Sequence, residues 1–172
     1  YESSAAVRTY FDTADKIRPG TSKQCFEGAE EELSRTDITQ PCLFCVDFAA
    51  ALALQEAGIK ADMTAGFSIG ELVALTWAGV FSAEDGFALV CRRGEVMQAA
   101  AEQTDASMIA VLKLKDETVA ELCRNAGSAY PVNFNSPGQV VVSGTKAAIE
   151  ELKPMIKEKG GRAIPLKVGG GF

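Results

Sequence analysis

Asp62-Met63-Thr64-Ala65-Gly66-Phe67-Ser68-Ile69-Gly70-Glu71 reads as the end of a short strand over Ala61 to Ala65, a glycine-pinched turn with a serine at its tip, and the start of a helix. The spacing is G-x-S-x-G, the pattern of a nucleophile elbow. A serine oxygen on such a turn projects clear of the backbone. Small residues two before and two after it let the chain fold that sharply. The helix that follows aims unpaired N–H groups at the same place, where they stabilise an anion. The stretch therefore predicts an α/β arrangement with Ser68 as candidate nucleophile.

The helix out of the turn is predicted over Ile69 to Ala78 and closes at Gly79. Ser82-Ala83-Glu84-Asp85 resembles a capping box and opens a helix to about Glu102, with Phe87, Val90, Cys91, Gly94 and Met97 on one face. Arg92 and Arg93 are adjacent on that helix and cannot share a side. Upstream, Ser3 to Lys16 places Val7, Tyr10, Phe11 and Ala14 at helical spacing, ended by Pro19-Gly20. Phe26 to Ser34 is a short acidic helix or turn. Pro41, suited to a first helical turn, opens a helix whose stretch Cys42 to Leu54 is apolar on nearly every side, which predicts burial.

After Thr104 the pattern changes to Ser107–Leu114 strand, Asp116–Asn125 helix, Ala129–Asn135 and Gln139–Ser143 strands, Lys146–Lys159 helix and Arg162–Val168 strand. Ser136-Pro137-Gly138-Gln139 fits a β-turn with Pro second and Gly third. This order is the split-βαβ, ferredoxin-like signature. Pattern alone leaves open whether the last strand joins that unit or the larger layer. The expected division sets 1–103 with 162–172 in one unit and 104–161 in the other.

The 172 residues suit one domain, or one domain with a small insert, and 47% apolar against 23% charged residues is the balance of a globular protein. A net charge of −6 argues against a broad nucleic-acid surface. No apolar run reads as long enough to span a bilayer, and Tyr1 opens no signal-peptide pattern, so a cytoplasmic protein without membrane contact is expected. Cys42 and Cys45 form a C-x-x-C, but inside an apolar run and without a second ligand pair; they are expected to be buried small hydrophobes, and no metal site is expected. The sequence has no histidine. A serine nucleophile ordinarily needs that base. Either Ser68 is no nucleophile, or its base lies outside these residues.

Four stretches together resemble the malonyl-CoA:acyl-carrier-protein transacylases and the related acyltransferase domains of fatty-acid and polyketide synthases. Gly66-Phe67-Ser68-Ile69-Gly70-Glu71 resembles the family's G-H-S-x-G-E, and Ile38-Thr39-Gln40-Pro41 its T-Q-P helix start. Arg93-Gly94-Glu95-Val96-Met97-Gln98 resembles its R-G-x-x-M-Q, and Val132-Asn133-Phe134-Asn135-Ser136-Pro137-Gly138-Gln139 its V-N-x-N-S-P-G-Q hairpin. The resemblance implies an α/β-hydrolase-like core, incomplete here, with an inserted ferredoxin-like small subdomain. It implies transfer of a malonyl group from malonyl-CoA to the phosphopantetheine thiol of acyl carrier protein through a serine ester, in fatty-acid synthesis. Ser68 would be the nucleophile, the Ile69 N–H an oxyanion donor, Arg93 the partner of the substrate carboxylate, and Gln40 a neighbour of the site. Asn133 and Asn135 would order the hairpin or join the site. No cofactor is implied, malonyl-CoA being the substrate. A serine thioesterase, or a polyketide-synthase acyltransferase domain, is the alternative.

Three departures accompany the resemblance. Phe67 stands where the family most often has histidine. The family's upstream P-G-Q-G loop, source of its other oxyanion donor, would precede Tyr1. Its catalytic histidine would follow Phe172. Truncation at both ends is therefore expected, and with it a fragment that is nearly inactive alone.

Overall fold

The computed structural model describes residues 1 and 4–172. Eight helices and four strands follow one another among them: α1 (Ala5–Ile17), α2 (Thr21–Glu27), α3 (Glu30–Leu33), α4 (Thr36–Glu56), α5 (Ile69–Trp77), α6 (Ala83–Glu102), β1 (Ala106–Leu112), α7 (Asp116–Ala126), β2 (Ala129–Ser136), β3 (Gln139–Thr145), α8 (Lys146–Glu158) and β4 (Arg162–Pro165). The expected helix start at Ser3 lies outside the described residues. The chain is mixed α/β and divides into two compact units, Tyr1–Val96 and Met97–Phe172.

In the first unit, α1 starts where the Ser4 hydroxyl accepts from the Val7 N–H at 3.0 Å. Its apolar face (Val7, Tyr10, Phe11, Ala14) packs on α4. Phe44, Cys45, Phe48, Phe87 and Val90 complete a core in which Phe44 and Phe87 are fully buried. The acidic stretch is not one helix: Gly28 divides it into α2 and α3. The α6 capping box forms, Ser82 Oγ accepting from the Asp85 N–H at 3.0 Å and donating to the Asp85 carboxylate at 2.8 Å.

Three expectations for this unit are corrected. First, α4 begins at Thr36, so Pro41 lies inside it rather than at its opening. The Arg35 carbonyl accepts from the N–H of both Ile38 and Thr39, starting the helix early. Pro41 then removes only the donor that the Asp37 carbonyl would have met, near enough to the end to be tolerated. Second, α4 is not buried all round: Leu43, Val46 and Leu54 are each 44–51% exposed. It is also long and apolar enough, by length and composition, to cross a membrane, which the sequence reading did not recognise. Its other face packs against α1, α2 and α5. Third, Ala61–Ala65 is not a strand; it is exposed irregular chain. Strands exist by pairing, and no described residue offers this segment a ladder partner.

The second unit is built in the order β-α-β-β-α-β, all within Met97–Phe172. Its sheet has strand order β2-β3-β1-β4, every neighbouring pair antiparallel. Ala110 sits opposite Val141 on one side and Ile164 on the other. The last strand therefore belongs to this sheet, which differs from the expected grouping of 162–172 with the first unit. Ile109, Val111, Val140 and Val142 on one sheet face meet Leu122, Ile149 and Leu152 of α7 and α8 in a closed core. The β2–β3 turn has Gly138 at φ 78°, the conformation demanded at the third position of a type II turn.

Candidate active site

Everything at the elbow follows from one backbone conformation. Ser68 has φ 53° and ψ −113°, a region that residues with a side chain seldom adopt. The Gly70 N–H donates to the Phe67 carbonyl at 2.9 Å and the Glu71 N–H to the Ser68 carbonyl at 3.1 Å, closing the turn into α5. Ser68 is exposed at its tip. The Ile69 N–H takes no part in those turn bonds and stands at the first helical position, beside the serine.

The two flanking glycines are not equivalent. A Cβ on Gly66 would lie 1.9 Å from the Gly70 carbonyl oxygen and 2.3 Å from the Glu71 nitrogen, so the chain closes on itself only with glycine at 66. A Cβ on Gly70 would meet nothing within 4 Å. The sequence reading gave both residues the same steric role. The described residues require it of Gly66 alone.

Two glycines of α6 bring that helix to the elbow. A Cβ on Gly86 would lie 2.2 Å from Thr76 Oγ1 of α5, and one on Gly94 3.0 Å from the Thr36 carbonyl of α4. Each marks a close helix crossing. The sequence pattern places Gly94 only on an apolar face and assigns Gly86 nothing; an isolated glycine inside a helical pattern is the signal that marks both. The crossings set Arg93, one residue before Gly94, over the first turns of α4.

Arg93 Nη1 donates to Gln40 Oε1, and Arg93 Nη2 lies 3.4 Å from Ser68 Oγ. Gln40 is buried at 6% exposure, while Arg93 is partly buried and Ser68 open. Arg92, by contrast, points outward and pairs with Glu95 at 3.0 Å, both well exposed. Arg93 thus links the buried Gln40, 53 positions before it, to the exposed Ser68, whose next residue along the chain is Ile69. The set is a nucleophile oxygen, a backbone donor and an anchored guanidinium, which can hold an anion beside a reacting serine. Asn133 and Asn135 lie in β2 of the other unit, partly buried and exposed respectively.

An open groove of about 570 Å³ lies behind the elbow between α4 and α5, lined by Ala51, Met63, Phe67, Val73 and Trp77 among others. Ser68, Arg93 and Gln40 do not line it. Among the described residues no group of three or more His, Cys, Asp or Glu is placed to hold a metal ion.

A family model described as the acyl transferase domain matches residues 11–169. The chain is 37% identical over its full length to the malonyl CoA-acyl carrier protein transacylase of Bacillus subtilis, covering 56% of that protein. It is 42% identical to the protein of the same name from Escherichia coli, over 83% of this chain and 48% of that one. Among solved structures, the acyl-carrier-protein S-malonyltransferase of Burkholderia pseudomallei superposes with TM-score 0.93 at 38% identity, over 99% of this chain and 58% of that one. A malonyl transacylase in complex with a type II polyketide-synthase acyl carrier protein superposes with TM-score 0.90 at 37% identity, over 96% of this chain and 55% of that one. The chain spans about half the length of the relatives it matches.

Proposed function

The chain belongs to the acyl transferase domain family, and on that premise we propose that the whole protein moves a malonyl group from malonyl-CoA to the phosphopantetheine thiol of acyl carrier protein, in fatty-acid synthesis. The observation that carries this reading is the guanidinium of Arg93, held by Gln40 and lying 3.4 Å from Ser68 Oγ. A plain serine hydrolase has no need of a fixed cation beside its nucleophile. An enzyme whose acyl group ends in a carboxylate does, because a planar guanidinium binds that carboxylate through two parallel hydrogen bonds.

In the proposed reaction Ser68 Oγ attacks the thioester carbonyl, and the developing oxyanion is met by the Ile69 N–H. The carbon–sulfur bond breaks, coenzyme A leaves as thiol, and malonyl remains as an ester on Ser68. The carrier thiol then attacks that ester and restores the serine. Each half needs a base to take and return one proton. With no histidine in the 172 residues, that base is proposed to come from sequence outside them, as is the second oxyanion donor. Removing the base from a serine site costs several orders of magnitude in rate, so these residues alone are proposed to be nearly inactive. No cofactor is proposed; malonyl-CoA enters as substrate, in a cytoplasmic protein.

The proposed architecture is an α/β-hydrolase-like core with an inserted ferredoxin-like small subdomain. The strained turn at Ser68 supports the first part. The β-α-β-β-α-β order with sheet order β2-β3-β1-β4 supports the second.

Intact mass of the full-length protein after brief exposure to malonyl-CoA tests the function. A malonyl adduct that maps to Ser68 and is discharged by holo carrier protein is the expected result. Absence of the adduct, or its persistence in Ser68→Ala, refutes the reading. Discharge at the same rate to water alone identifies a hydrolase instead.

A further inference from the structure

Four of the five cysteines belong to the first unit, and the function proposed above uses none of them. Two of these four, on different helices, face each other. Cys25, half-buried on α2, lies with its Sγ 3.8 Å from the carbonyl oxygen of Cys42, buried in the first half of α4. Their thiols also share a side-chain hydrogen bond. The C-x-x-C pattern suggested Cys42 and Cys45 as the pair to consider, yet the two sulfurs have different neighbours. Cys42 meets Cys25 of α2, whereas Cys45 stands beside the Tyr10 hydroxyl of α1.

We propose that Cys25 and Cys42 are a redox modification site, closing a reversible disulfide between α2 and α4 when the protein meets a peroxide. The half-buried Cys25 sulfur is the one a small oxidant reaches first. It gives an electron pair to one peroxide oxygen, the O–O bond breaks, and a water leaves with the Cys25 proton, leaving a sulfenic acid. The Cys42 sulfur displaces that hydroxyl, the S–S bond forms, and a second water leaves with the Cys42 proton. Two thiols and one peroxide give one disulfide and two waters.

Charge at the pair favours the second step. The hydrogen bond from Cys25 holds the Cys42 thiol below its ordinary range, so Cys42 offers thiolate character at the moment of attack. The same bond and burial push Cys25 up, so its oxidation is the slow step, and exposure rather than thiolate character makes Cys25 the first target. Cys45 is pushed up to about 12 by burial and is a poor competitor for the sulfenic acid.

The full-length protein is to be treated with hydrogen peroxide, its remaining thiols alkylated, and the product cut with trypsin without reduction. Cleavage after Lys23, Arg35 and Lys60 separates Cys25 from Cys42. The expected product is peptide 24–35 joined to peptide 36–60, lighter than their sum by two hydrogens and separated by dithiothreitol. Fragmentation between Cys42 and Cys45 should place the link on Cys42. The link should persist in Cys45→Ala and disappear in Cys25→Ser. Recovery of both peptides alkylated at Cys25 and Cys42, overoxidation of Cys25 without a link, or a link placed on Cys45 overturns the proposal.

Discussion

Gln40 accepts a hydrogen bond from Arg93 across 53 positions of sequence and two helices, and it does so while buried at 6% exposure. A buried amide with a fixed donor holds its partner in one rotamer. Gln40 is thus placed to aim the guanidinium, not to react. In the full-length protein, Gln40→Leu is expected to lower kcat/KM for malonyl transfer by roughly ten- to a hundredfold, the worth of a hydrogen bond to a charged group. Gln40→Glu should act differently: the new carboxylate pairs with Arg93 and competes with the substrate, so KM should rise more than kcat falls. Steady-state kinetics of both variants checks this; equal effects on KM and kcat in the two would refute an aiming role.

Arg93 itself is expected to matter in proportion to the charge of the acyl group. Leaving a substrate carboxylate without its partner costs about 2–5 kcal/mol. Arg93→Ala should therefore reduce malonyl transfer by roughly thirty- to several-thousandfold by the same conversion. Acetyl transfer, which offers no carboxylate, should change by less than about tenfold and could improve as positive charge leaves the site. Measuring both acyl groups on one variant separates a clamp from a structural role. Equal loss for the two would sink the clamp.

The glycines of the elbow give a test of geometry alone. Gly66→Ala puts a methyl group 1.9 Å from the Gly70 carbonyl oxygen, which forces the turn open. A destabilisation of about 1–3 kcal/mol is expected, read as a lower urea midpoint, with loss of reaction at Ser68. Gly70→Ala meets nothing within 4 Å among the described residues. It should leave the unfolding midpoint unchanged or raise it slightly, since alanine is the better helix former by about 1 kcal/mol. Similar losses in both variants would show that the two positions are constrained alike.

The contrast between those glycines shows which parts of the molecule could be read from sequence. Periodicity located every element from Ala83 to Pro165 because each of these elements finds its partners within the described chain: β1 between β3 and β4, α7 and α8 on one face of that sheet. The Ser82–Asp85 cap and the Pro137–Gly138 turn are local chemistry and were equally legible. Ala61–Ala65 carries a strand pattern but has no ladder partner here, and local pattern cannot report a missing neighbour. The same holds for Leu43 and Val46, apolar yet open. Ser68 is legible from the G-x-S-x-G spacing and Arg93 through the family resemblance, whereas their contact depends on Gly86 and Gly94 bringing α6 onto α5 and α4. That is tertiary packing, invisible to a spacing rule. Likewise helical spacing alone does not say which of the adjacent arginines turns inward; the R-G-x-x-M-Q resemblance singles out Arg93, and the structure adds that it meets Gln40 while Arg92 pairs with Glu95.

The last prediction concerns alkaline pH. Burial pushes the Cys45 thiol up to about 12, and Cys91 and Cys123 to about 11, from an ordinary value of 9.0. A folded-state value above the unfolded one means that the folded protein holds the proton more tightly. The corresponding stability is fully present below about pH 9 and is lost as pH rises from there towards 12, because the unfolded chain releases protons that the folded chain keeps. Cys42 works in the opposite sense, its value being lowered by the bond from Cys25. Cys25 is raised as well, so four raised thiols against one lowered set the sign. The urea midpoint of the full-length protein should fall progressively above pH 9, under reducing conditions. Tyrosines and lysines also titrate there, so the comparison that isolates the thiol is Cys45→Ala. Its stability starts lower because 0% exposed Cys45 leaves a cavity, but it should decline less steeply with pH than the parent. Parallel slopes for the two proteins would exclude Cys45 as a source of the alkaline loss.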